Sequence, residues 1–347
     1  MNNLYTSDGW LNFDYIADRG KWLNVIIGAR QVGKTYGCLK YMLDHNLYHI
    51  LLRRTTDELD LIAADNDLNP YLKFDDYYKI SLFRKRKGMC RICDYTTDEN
   101  GIMKPTTQRG LALSLPEIAH IRGFSGDKFT EIVFDETVPE KGVITRSSEG
   151  ESFLNGYTTI NGNREIDKVN PRPPLRAWLL SNTNRIDSPV FEALNIIDMI
   201  LYARRKGLEE LYDDGVAIIQ PKSEKITSQR KETALMKQVS KTSEFYGMAI
   251  ENEFAYDRSP FITTLSIKGM QPLFKIGMFS CWQNGDGFYI CHAPFTGRKQ
   301  NIFKDDNNGR EQIRTMYAIL KAYYYAGLVK FSDLYAITIF KRIFNIA

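Results

Sequence analysis

The sequence contains no apolar run long enough to cross a membrane. A bilayer span needs about 18 consecutive apolar residues, and the longest runs here fall well short of that length. The first eight residues are polar and lack the apolar core of a secretory signal peptide. We therefore expect no membrane segment and no secretory leader in this chain.

Cysteine is scarce, and its pattern argues against a disulfide framework. The five cysteines are an odd number without a regular spacing, which fits a reducing cytosol. Cys90 and Cys93 have the spacing of half a zinc site, but Cys281, Cys291 and His292 lie far along the chain. We therefore interpret Cys90 and Cys93 as structural residues of a β-hairpin.

The sequence also lacks a strong net charge and internal repeats. The net charge is only +4 over 347 residues, so composition alone gives weak support for a polyanionic partner. A hydrophobic fraction of 43% and a charged fraction of 25% are typical of a protein with an ample core. A chain of this length predicts two domains, or one large domain with an appendage.

The most informative stretch is a glycine-rich loop that fits the pattern G-x-x-x-x-G-K-[ST]. A short apolar run rich in β-branched residues precedes it, and a segment with helical spacing follows. Such a loop binds phosphates because backbone N–H groups converge on them and the helix adds its positive N-terminal end. Lys34 is expected to reach the β- and γ-phosphates of ATP, and the Thr35 hydroxyl to hold Mg²⁺. The candidate nucleotide-binding residues are Gly28, Ala29, Arg30, Gln31, Val32, Gly33, Lys34 and Thr35.

A second apolar strand, over residues 131–136, ends in two acids. In P-loop motors the first acid orients the Mg²⁺ shell and the next polarises the attacking water. We therefore predict Asp135 as a metal-site residue and Glu136 as the general base of ATP hydrolysis.

A third buried strand, over residues 177–182, ends in Asn182. If this strand lies between the glycine-loop strand and the acid strand, Asn182 can sense the γ-phosphate or hold the attacking water. An inert cap at the end of the strand is the alternative. The presence of Glu136 favours the first arrangement.

The pattern predicts an α/β fold with a mostly parallel sheet, of the P-loop NTPase type with an additional strand (ASCE). The predicted domains are a P-loop ATPase domain over 1–220, a partly helical linker over 221–258, and a small α+β domain over 259–347. Residues 199–203 and 216–219 are predicted as the last strands of the first sheet. In the C-terminal domain we predict strands over 274–281 and 287–291 and helices over 312–326 and 333–344.

A hairpin over residues 77–95 has four basic residues, 84–87, at its tip. A solvated turn and a contact with nucleic acid are equally good explanations of this cluster.

Several of these stretches together resemble the double-stranded DNA packaging ATPases (terminase-like motors) of small phi29-like tailed phages. The similarity covers nearly the whole chain, with order and spacing preserved outside residues 145–176. The matching stretches are 23–36, 52–54 with 58–59, 132–136, 180–182, 284–285 and 323–344.

The resemblance implies a ring of identical subunits, a pentamer, that hydrolyses ATP and drives double-stranded viral DNA through the portal into a preformed capsid. Such a ring works in the host cytoplasm, docked transiently at the portal vertex, and can include a structural packaging RNA. It hydrolyses ATP at subunit interfaces, where an arginine of the neighbouring subunit completes each site.

The resemblance also suggests roles for individual basic residues. Arg164 is the first candidate for the arginine that acts on the neighbouring subunit and Arg146 the second, with Arg176 and Arg185 left open. Arg30 is expected to contact the catalytic glutamate or the phosphates. DNA is expected to be gripped through its phosphates because packaging must tolerate any sequence. The candidates for this grip are Arg122, Lys141, Arg53 and Arg54, of which Arg53 and Arg54 could instead serve structure or subunit contacts.

The C-terminal domain resembles the RNase H-like nuclease domain of larger packaging motors. Nuclease chemistry of that kind needs clustered carboxylates that hold two metal ions. The predicted strand over 274–281 carries no acid, while Asp286 lies in a turn and Asp305 and Asp306 lie in a polar loop. We therefore expect a vestigial domain without nuclease activity that serves in docking or in guiding DNA.

Other functions share part of this pattern. Another ring-forming P-loop translocase or a helicase would use the same ATPase core. Such a protein should also carry helicase motifs or a sensor arginine, and the sequence shows neither. A small-molecule kinase would need an arginine-rich lid. A scaffold bound to the portal would not require the complete set of Lys34, Thr35, Asp135 and Glu136.

Overall fold

The structure is a computed structural model, and it describes residues 3–118, 120–121, 126–138, 148–183, 186, 188–241, 243–251, 262–263, 265–285 and 287–346. The chain divides into two compact units, Met1–Ala255 (unit 1) and Tyr256–Ala347 (unit 2). The linker that we predicted over 221–258 remains a proposal. Within the described residues, no helix combines the length and the apolar character that a membrane span requires.

The described part of unit 1 contains nine strands and ten α-helices. The strands are β1 (Leu23–Gly28), β2 (His49–Arg53), β3 (Ile80–Arg86), β4 (Met89–Thr97), β5 (Met103–Ser114), β6 (Glu131–Asp135), β7 (Arg176–Asn182), β8 (Glu210–Asp213) and β9 (Val216–Ile219). The helices are α1 (Phe13–Ala17), α2 (Lys34–Asp44), α3 (Thr56–Ala64), α4 (Leu115–Ile118), α5 (Glu149–Asn161), α6 (Pro189–Ala193), α7 (Ile197–Arg205), α8 (Glu224–Lys231), α9 (Ala234–Gln238) and α10 (Glu244–Tyr246). A π-helical turn, Gly247–Glu251, follows α10.

The nine strands form one sheet in the order β3-β4-β5-β2-β6-β7-β1-β9-β8. The six central strands from β5 to β9 run parallel, and antiparallel hairpins close both edges. This confirms the predicted α/β class with a mostly parallel sheet. Strand β7 pairs with β1 on one side and with β6 on the other, which is the arrangement that a role for Asn182 requires.

The core on one side of the sheet is centred on Trp178 of β7, which is fully buried. Its ring packs against Phe13 of α1 and Tyr41 of α2, with centroid distances of 5.6 and 5.7 Å. Strands β1, β2 and β6 are almost completely buried along their lengths, as expected for parallel strands covered on both faces. This packing holds α2, and therefore the loop that precedes it, rigidly on the sheet.

The prediction of a strand over 199–203 is wrong, because these residues belong to helix α7. Ile197, Ile200 and Leu201 are buried at helical spacing, while Tyr202, the next residue, is exposed. A short apolar run does not distinguish a buried strand from one face of a helix. The predicted strand over 216–219 is confirmed as β9.

Cys90 and Cys93 lie on β4 of the predicted hairpin, and their side chains are buried and free of disulfides. The described part of the chain contains no cluster of three or more His, Cys, Asp or Glu residues suited to a metal. Cys90 and Cys93 are thus buried residues of the predicted hairpin, and their interpretation as structural residues stays a prediction.

The described part of unit 2 contains a five-stranded mixed sheet and three helices. The sheet order is β13-β10-β11-β12-β14, in which β10 to β12 form an antiparallel meander, while β13 runs parallel to β10 and β14 parallel to β12. The strands are β10 (Gln271–Ile276), β11 (Phe279–Asn284), β12 (Gly287–Cys291), β13 (Ile302–Phe303) and β14 (Val329–Phe331). The helices are α11 (Asn307–Met316), α12 (Ile319–Tyr325) and α13 (Leu334–Phe344).

Two predictions for unit 2 are corrected. The single strand predicted over 274–281 is a hairpin of β10 and β11, which turns at Gly277, where φ is +52°. The single helix predicted over 312–326 is interrupted at Tyr317, whose hydroxyl donates to the Leu273 carbonyl at 3.0 Å and whose ring packs on Phe274. The helix predicted over 333–344 is confirmed as α13, with Asp333 as its N-cap.

Candidate nucleotide-binding and catalytic site

Four strands bring polar residues together at one edge of the sheet of unit 1. The carboxyl ends of β1, β7, β6 and β2 carry Gly28, Asn182, Asp135 and Arg53. The pairing aligns Gly28 with Asn182, so the ends of β1 and β7 lie level, while Asp135 at the end of β6 pairs with Leu180, two residues before Asn182. Ligands of parallel α/β sheets bind at this edge, outside the carboxyl ends of the strands.

The glycine loop joins β1 to α2 through two residues in the left-handed region. Gln31 has φ +59° and Gly33 has φ +83°, and Gly33 is the N-cap of α2. A Cβ atom on Gly33 would lie 3.0 Å from the ring of Trp10, and one on Gly28 would lie 2.8 Å from Pro221. Gly33 is therefore favoured by its backbone conformation and by the Trp10 contact, and Gly28 by the close approach of Pro221.

Lys34 is buried at the start of α2 and bonds to the mouth of the loop. Its Nζ donates to the carbonyls of Gly28 and Ala29 at 2.9 and 2.7 Å and to Asn182 Oδ1 at 3.1 Å. Burial lowers the pKa of Lys34 to about 7, although the nearby Asp135 carboxylate acts in the opposite direction. Asn182 therefore has a direct link to the residue that we expect to bind phosphate, and it is not an isolated strand cap.

Thr35 and Asp135 meet opposite Lys34, where the Thr35 hydroxyl donates to Asp135 Oδ1 at 2.8 Å. A hydroxyl and a carboxylate side by side are oxygen ligands of the kind that Mg²⁺ prefers. These two residues could therefore hold the cation that accompanies a bound nucleotide, directly or through water.

A cavity of about 300 Å³ lies over these groups. It is bordered by Lys34, Thr35, Tyr36, Asp135, Glu136 and Asn182. Its volume is at the lower end of the range for small-molecule sites, about 300 to 1,000 Å³. The structure thus brings together at one cavity the residues that the sequence predicted for nucleotide, metal and base.

Glu136 follows β6 in the left-handed region, with φ +58°. This conformation costs a residue with a Cβ about 1–2 kcal/mol and turns the side chain out of the strand direction. Its carboxylate is half exposed and borders the cavity. A base at this place can meet a water molecule that approaches a bound phosphate.

Arg53 has a different position from the one that we predicted. It is largely buried, and its Nη1 donates to Asp135 Oδ2 at 2.7 Å while Nη2 donates to Glu136 Oε2 at 3.3 Å. This places Arg53 in the nucleotide site, not at a DNA-facing surface. The reason is that β2 lies beside β6, which sequence spacing alone did not reveal.

Arg54 is also not at a DNA-facing surface. Its guanidinium is buried and pairs with Glu149 at 3.3 Å and with Glu58 at 3.6 Å. The structure therefore favours the structural role that the sequence left open for Arg54, because a buried guanidinium with two carboxylate partners is not exposed to a DNA backbone.

The position of Arg164 does not support its predicted role towards a neighbouring subunit. Only 5% of the residue is exposed. Its three guanidinium nitrogens donate to four carbonyls of the same chain, those of Asn161, Phe129, Gly126 and Ile160, at 2.9–3.1 Å. The prediction is therefore corrected: Arg164 ties the segment before β6 to the end of α5.

Arg176 is likewise bound within its own subunit. It makes a two-pronged contact with the buried Glu131, with donor–acceptor distances of 3.0 and 2.9 Å, and Trp178 donates to the same carboxylate at 2.8 Å. The other candidates for this role, Arg146 and Arg185, and the DNA-binding candidates Arg122 and Lys141 lie outside the described residues.

The basic tip of the β3–β4 hairpin is partly neutralised by acids of its own unit. Arg84 pairs with Asp60 and Arg86 pairs with Glu117, each at 2.9 Å. Both arginines are more than half exposed, so these pairs add little to stability. The structure gives the tip a local structural explanation, and a contact with nucleic acid remains a hypothesis.

No protein-family model matches the chain. The chain is 25% identical over 328 residues to the DNA packaging protein of Bacillus phage phi29, which covers 90% of this chain and 87% of that protein. The DNA packaging protein of Bacillus phage PZA gives the same identity and coverage. The chain is therefore similar over most of its length to the DNA packaging proteins of these two phages.

Two solved structures share the fold of this chain over nearly its whole length. The bacteriophage Phi-29 genome packaging motor assembly contains a chain that matches with a TM-score of 0.63, 20% identity and coverage of 97% of this chain and 99% of that one. A chain of the Phi-28 DNA packaging motor matches with a TM-score of 0.60, 14% identity and 98% coverage of both chains.

The low pKa of Lys34 predicts how the expected binding of ATP by this chain would depend on pH. The free site loses the Lys34 proton above about pH 7, whereas bound phosphates raise the pKa of the ammonium, so binding takes up a proton. We therefore expect affinity for ATP to fall between pH 7.5 and 9, by up to about tenfold per pH unit. Equilibrium titration with a fluorescent ATP analogue measures this slope.

The matched control for this slope is Lys34→Arg, because arginine keeps its charge throughout the range. The variant should bind less tightly but with a flat profile, since the titration of ATP itself is common to both proteins. A wild-type profile that is as flat as that of Lys34→Arg would contradict the prediction.

Proposed function

We propose that this chain is an ATP-driven translocase that moves double-stranded viral DNA into a preformed capsid. The observation that carries the proposal is the arrangement of Lys34, Thr35, Asp135 and Glu136 around one cavity at the carboxyl edge of the sheet. The names of the relatives, DNA packaging proteins of two Bacillus phages, supply the process to which ATP hydrolysis would be coupled.

The residues of the cavity divide the work of hydrolysis. Lys34 and the loop from Gly28 bind the phosphates, and Asn182 holds Lys34 in position. Thr35 and Asp135 would hold Mg²⁺, which neutralises charge on the phosphates when it is bound. Glu136 accepts the proton of the attacking water.

Arg53 joins this set as a positioning residue. Its guanidinium bridges Asp135 and Glu136, so the orientation of the general base depends on a side chain from a neighbouring strand. A change in the bridge would alter the position of the base without altering the glycine loop. Arg30 keeps its predicted role towards the phosphates or the glutamate as part of this proposal.

The finer features of the proposal follow from the family resemblance. We assign the core to the additional-strand (ASCE) type, supported by β7 between β1 and β6. The working form would be a homomeric ring, a pentamer, docked on the portal in the host cytoplasm, with a packaging RNA as a further component. Because Arg164 and Arg176 are occupied within their own subunit, Arg146 and Arg185 become the first candidates for the arginine that reaches a neighbour. Arg122 and Lys141 remain the candidates for gripping DNA.

We also propose that unit 2 is a vestigial RNase H-like domain without nuclease activity. In support, β10 and β11 carry no Asp or Glu on which a two-metal site could be built. Incubation of the full chain with plasmid DNA and Mn²⁺ tests this, and cleavage that exceeds a no-protein control would overturn it.

The proposed function is tested by steady-state ATP hydrolysis on the assembled ring with its portal. Hydrolysis should rise with long duplex DNA and less with single strands of the same length. A stimulation that requires single strands would favour a helicase instead. An assembled ring that binds ATP but hydrolyses none would favour a portal-bound scaffold and contradict the proposal.

A further inference from the structure

A second lysine borders the nucleotide cavity, and the site described so far does not use it. Lys73 lies on the segment between α3 and β3, in the 3₁₀-helical turn Leu72–Phe74, and it lines the same cavity as Lys34. Among the described residues that border the cavity, Lys34 and Lys73 are the two basic ones. The turn is distant from the glycine loop in the sequence, so no motif indicated that Lys73 belongs to this site.

Two buried aromatic side chains fix the turn that carries Lys73. Tyr71, which precedes the turn, and Phe74, which ends it, are both buried in the core that contains Trp178. The Tyr71 hydroxyl lies 2.8 Å from Nε2 of the buried His49. The turn is therefore a fixed part of unit 1, and Lys73 is the side chain that it presents to the cavity.

Tyr36 connects this turn to the glycine loop. It follows Thr35 in the first turn of α2, and its ring stacks on Phe74 with a centroid distance of 4.6 Å and an interplanar angle of 29°. Tyr36 also borders the cavity. Because stacked rings prefer a defined geometry, this contact sets the position of Lys73 relative to the loop that is expected to bind the phosphates.

The two lysines of the cavity differ in what they bond. The three N–H donors of the Lys34 ammonium are taken by two loop carbonyls and by Asn182. Lys73 is exposed, and its ammonium has no ion-pair partner within the part of the chain that the structure describes. Asp75, the acid nearest to it in the sequence, pairs with Lys79 at 2.6 Å. Lys73 can therefore bind a phosphate without giving up a bond inside the protein.

The charges around the cavity favour such a contact. Asp135 and Glu136 border the cavity, and Arg53, which bonds to both, offsets their charge. A triphosphate adds several negative charges, of which bound Mg²⁺ neutralises a part. Phosphate oxygens accept charge-assisted hydrogen bonds from ammonium groups, and Lys73 supplies an ammonium that no other group occupies.

We propose that Lys73 is a second phosphate-binding lysine, which contacts the phosphates of ATP within its own subunit, and that Tyr36 is a positioning residue that holds Lys73 at the cavity through Phe74. The inference rests on the proposed binding of ATP at the glycine loop and adds two residues to that site.

The test compares the affinity of wild type, Lys73→Gln and Lys73→Arg for ATPγS in the full chain, by displacement of a fluorescent ATP analogue. Lys79→Gln is the matched control, because Lys79 is an exposed lysine of the same segment that does not border the cavity. Lys73→Gln should bind about tenfold more weakly, as for the loss of one charge-assisted contact. Lys73→Arg should stay within about threefold of wild type because it keeps the charge, and Lys79→Gln should bind as wild type does.

Salt and stability separate a phosphate contact from a structural role of Lys73. The difference between wild type and Lys73→Gln should shrink as NaCl rises from about 0.05 to about 0.5 M, because salt screens an exposed charge. The midpoint of urea unfolding should be unchanged, since the side chain is exposed. A lower midpoint together with a loss of affinity that salt does not change would assign Lys73 a structural role and overturn the inference.

The positioning role of Tyr36 is tested through Lys73. Tyr36→Phe keeps the stacked ring and should bind ATPγS as wild type does, whereas Tyr36→Ala removes it and should bind about fivefold more weakly. In the Lys73→Gln background, Tyr36→Ala should cause almost no further loss, because it acts only by placing Lys73. Losses that multiply in the double variant would overturn this role.

The outcomes distinguish the inference from the proposed function. A Lys73→Gln chain with wild-type affinity for ATPγS would overturn the inference and leave the proposed function intact. A loss no greater than that of Lys79→Gln would reflect a general effect of charge and would also overturn it. Failure of wild type to bind ATPγS would overturn both.

Discussion

Replacement of Glu136 by glutamine is expected to lower kcat for ATP hydrolysis by about 10² to 10⁴ while leaving ATP binding nearly unchanged. The amide cannot accept the proton of the attacking water, yet it has the size and reach of the carboxylate. Glutamine also meets the same backbone strain at φ +58°, so the fold should be affected little. Single-turnover hydrolysis and equilibrium ATP binding on the same preparation measure the two effects separately.

Glu151→Gln provides the control for this loss. Glu151 is exposed on α5, away from the groups that border the cavity, and removal of its charge should leave kcat within a factor of two or so. A Glu136→Gln protein that hydrolyses ATP at the wild-type rate would remove Glu136 from the mechanism and direct attention to another base.

Replacement of Arg164 by methionine is expected to reduce the free energy of unfolding by about 2–4 kcal/mol. The substitution removes the side-chain donor of four carbonyls, in a place where the backbone is already crowded. A Cβ atom on Gly126 would lie 2.1 Å from the Ile160 carbonyl oxygen, so the segment before β6 cannot move aside to find other partners. Urea unfolding of the isolated chain measures the loss.

Arg172→Met is the matched control for Arg164→Met. Arg172 belongs to the same loop but is more exposed and pairs with Asp127, so its loss should cost less than about 1 kcal/mol. Suppose instead that Arg164→Met were as stable as Arg172→Met, that its rings did not hydrolyse ATP, and that mixing with Glu136→Gln subunits, which keep Arg164, restored hydrolysis. Arg164 would then act on the neighbouring subunit, and its structural role would be refuted.

The phosphate site could be predicted from the sequence because its components are local. The loop from Gly28 to Thr35 carries its strand, its glycines and its helix within about 20 residues, and β6 places Asp135 and Glu136 at its own end. Asn182 required one further assumption, the insertion of β7 between β1 and β6, which the sheet confirms.

The contacts of the arginines could not be predicted, because each depends on an element distant in the sequence. Arg53 meets Asp135 only through the pairing of β2 with β6, and Arg164 meets Phe129 only through the packing of α5. Arg230 of α8 donates to the Ala249 carbonyl, which belongs to the π-helical turn Gly247–Glu251 further along the chain. A basic residue in a loop looks the same in the sequence whether it faces solvent or supports a backbone.

The wrong predictions of individual strands and helices had a different cause. The apolar residues of α7 form a short run that fits a strand as well as a helix face, and burial decided between them. In unit 2, the apolar pattern continues on both sides of Gly277 and of Tyr317. We therefore predicted one strand where the chain folds back at Gly277, and one helix where two helices are separated at Tyr317.

The three-strand alignment of β1, β7 and β6 has a consequence for how such a protein can diverge. Backbone pairing sets the level of the strand ends, and a slip of one residue would shift them by about 3.3 Å and turn every β7 side chain to the other face. The interior positions of these strands require only apolar side chains of suitable volume. Exchange of one such side chain for another of similar volume often lowers the free energy of unfolding by less than about 1.5 kcal/mol. Such a sheet can therefore accept many substitutions in its interior while the few polar tips keep their mutual distances. The chemical constraint on these three strands lies at their ends and not along them.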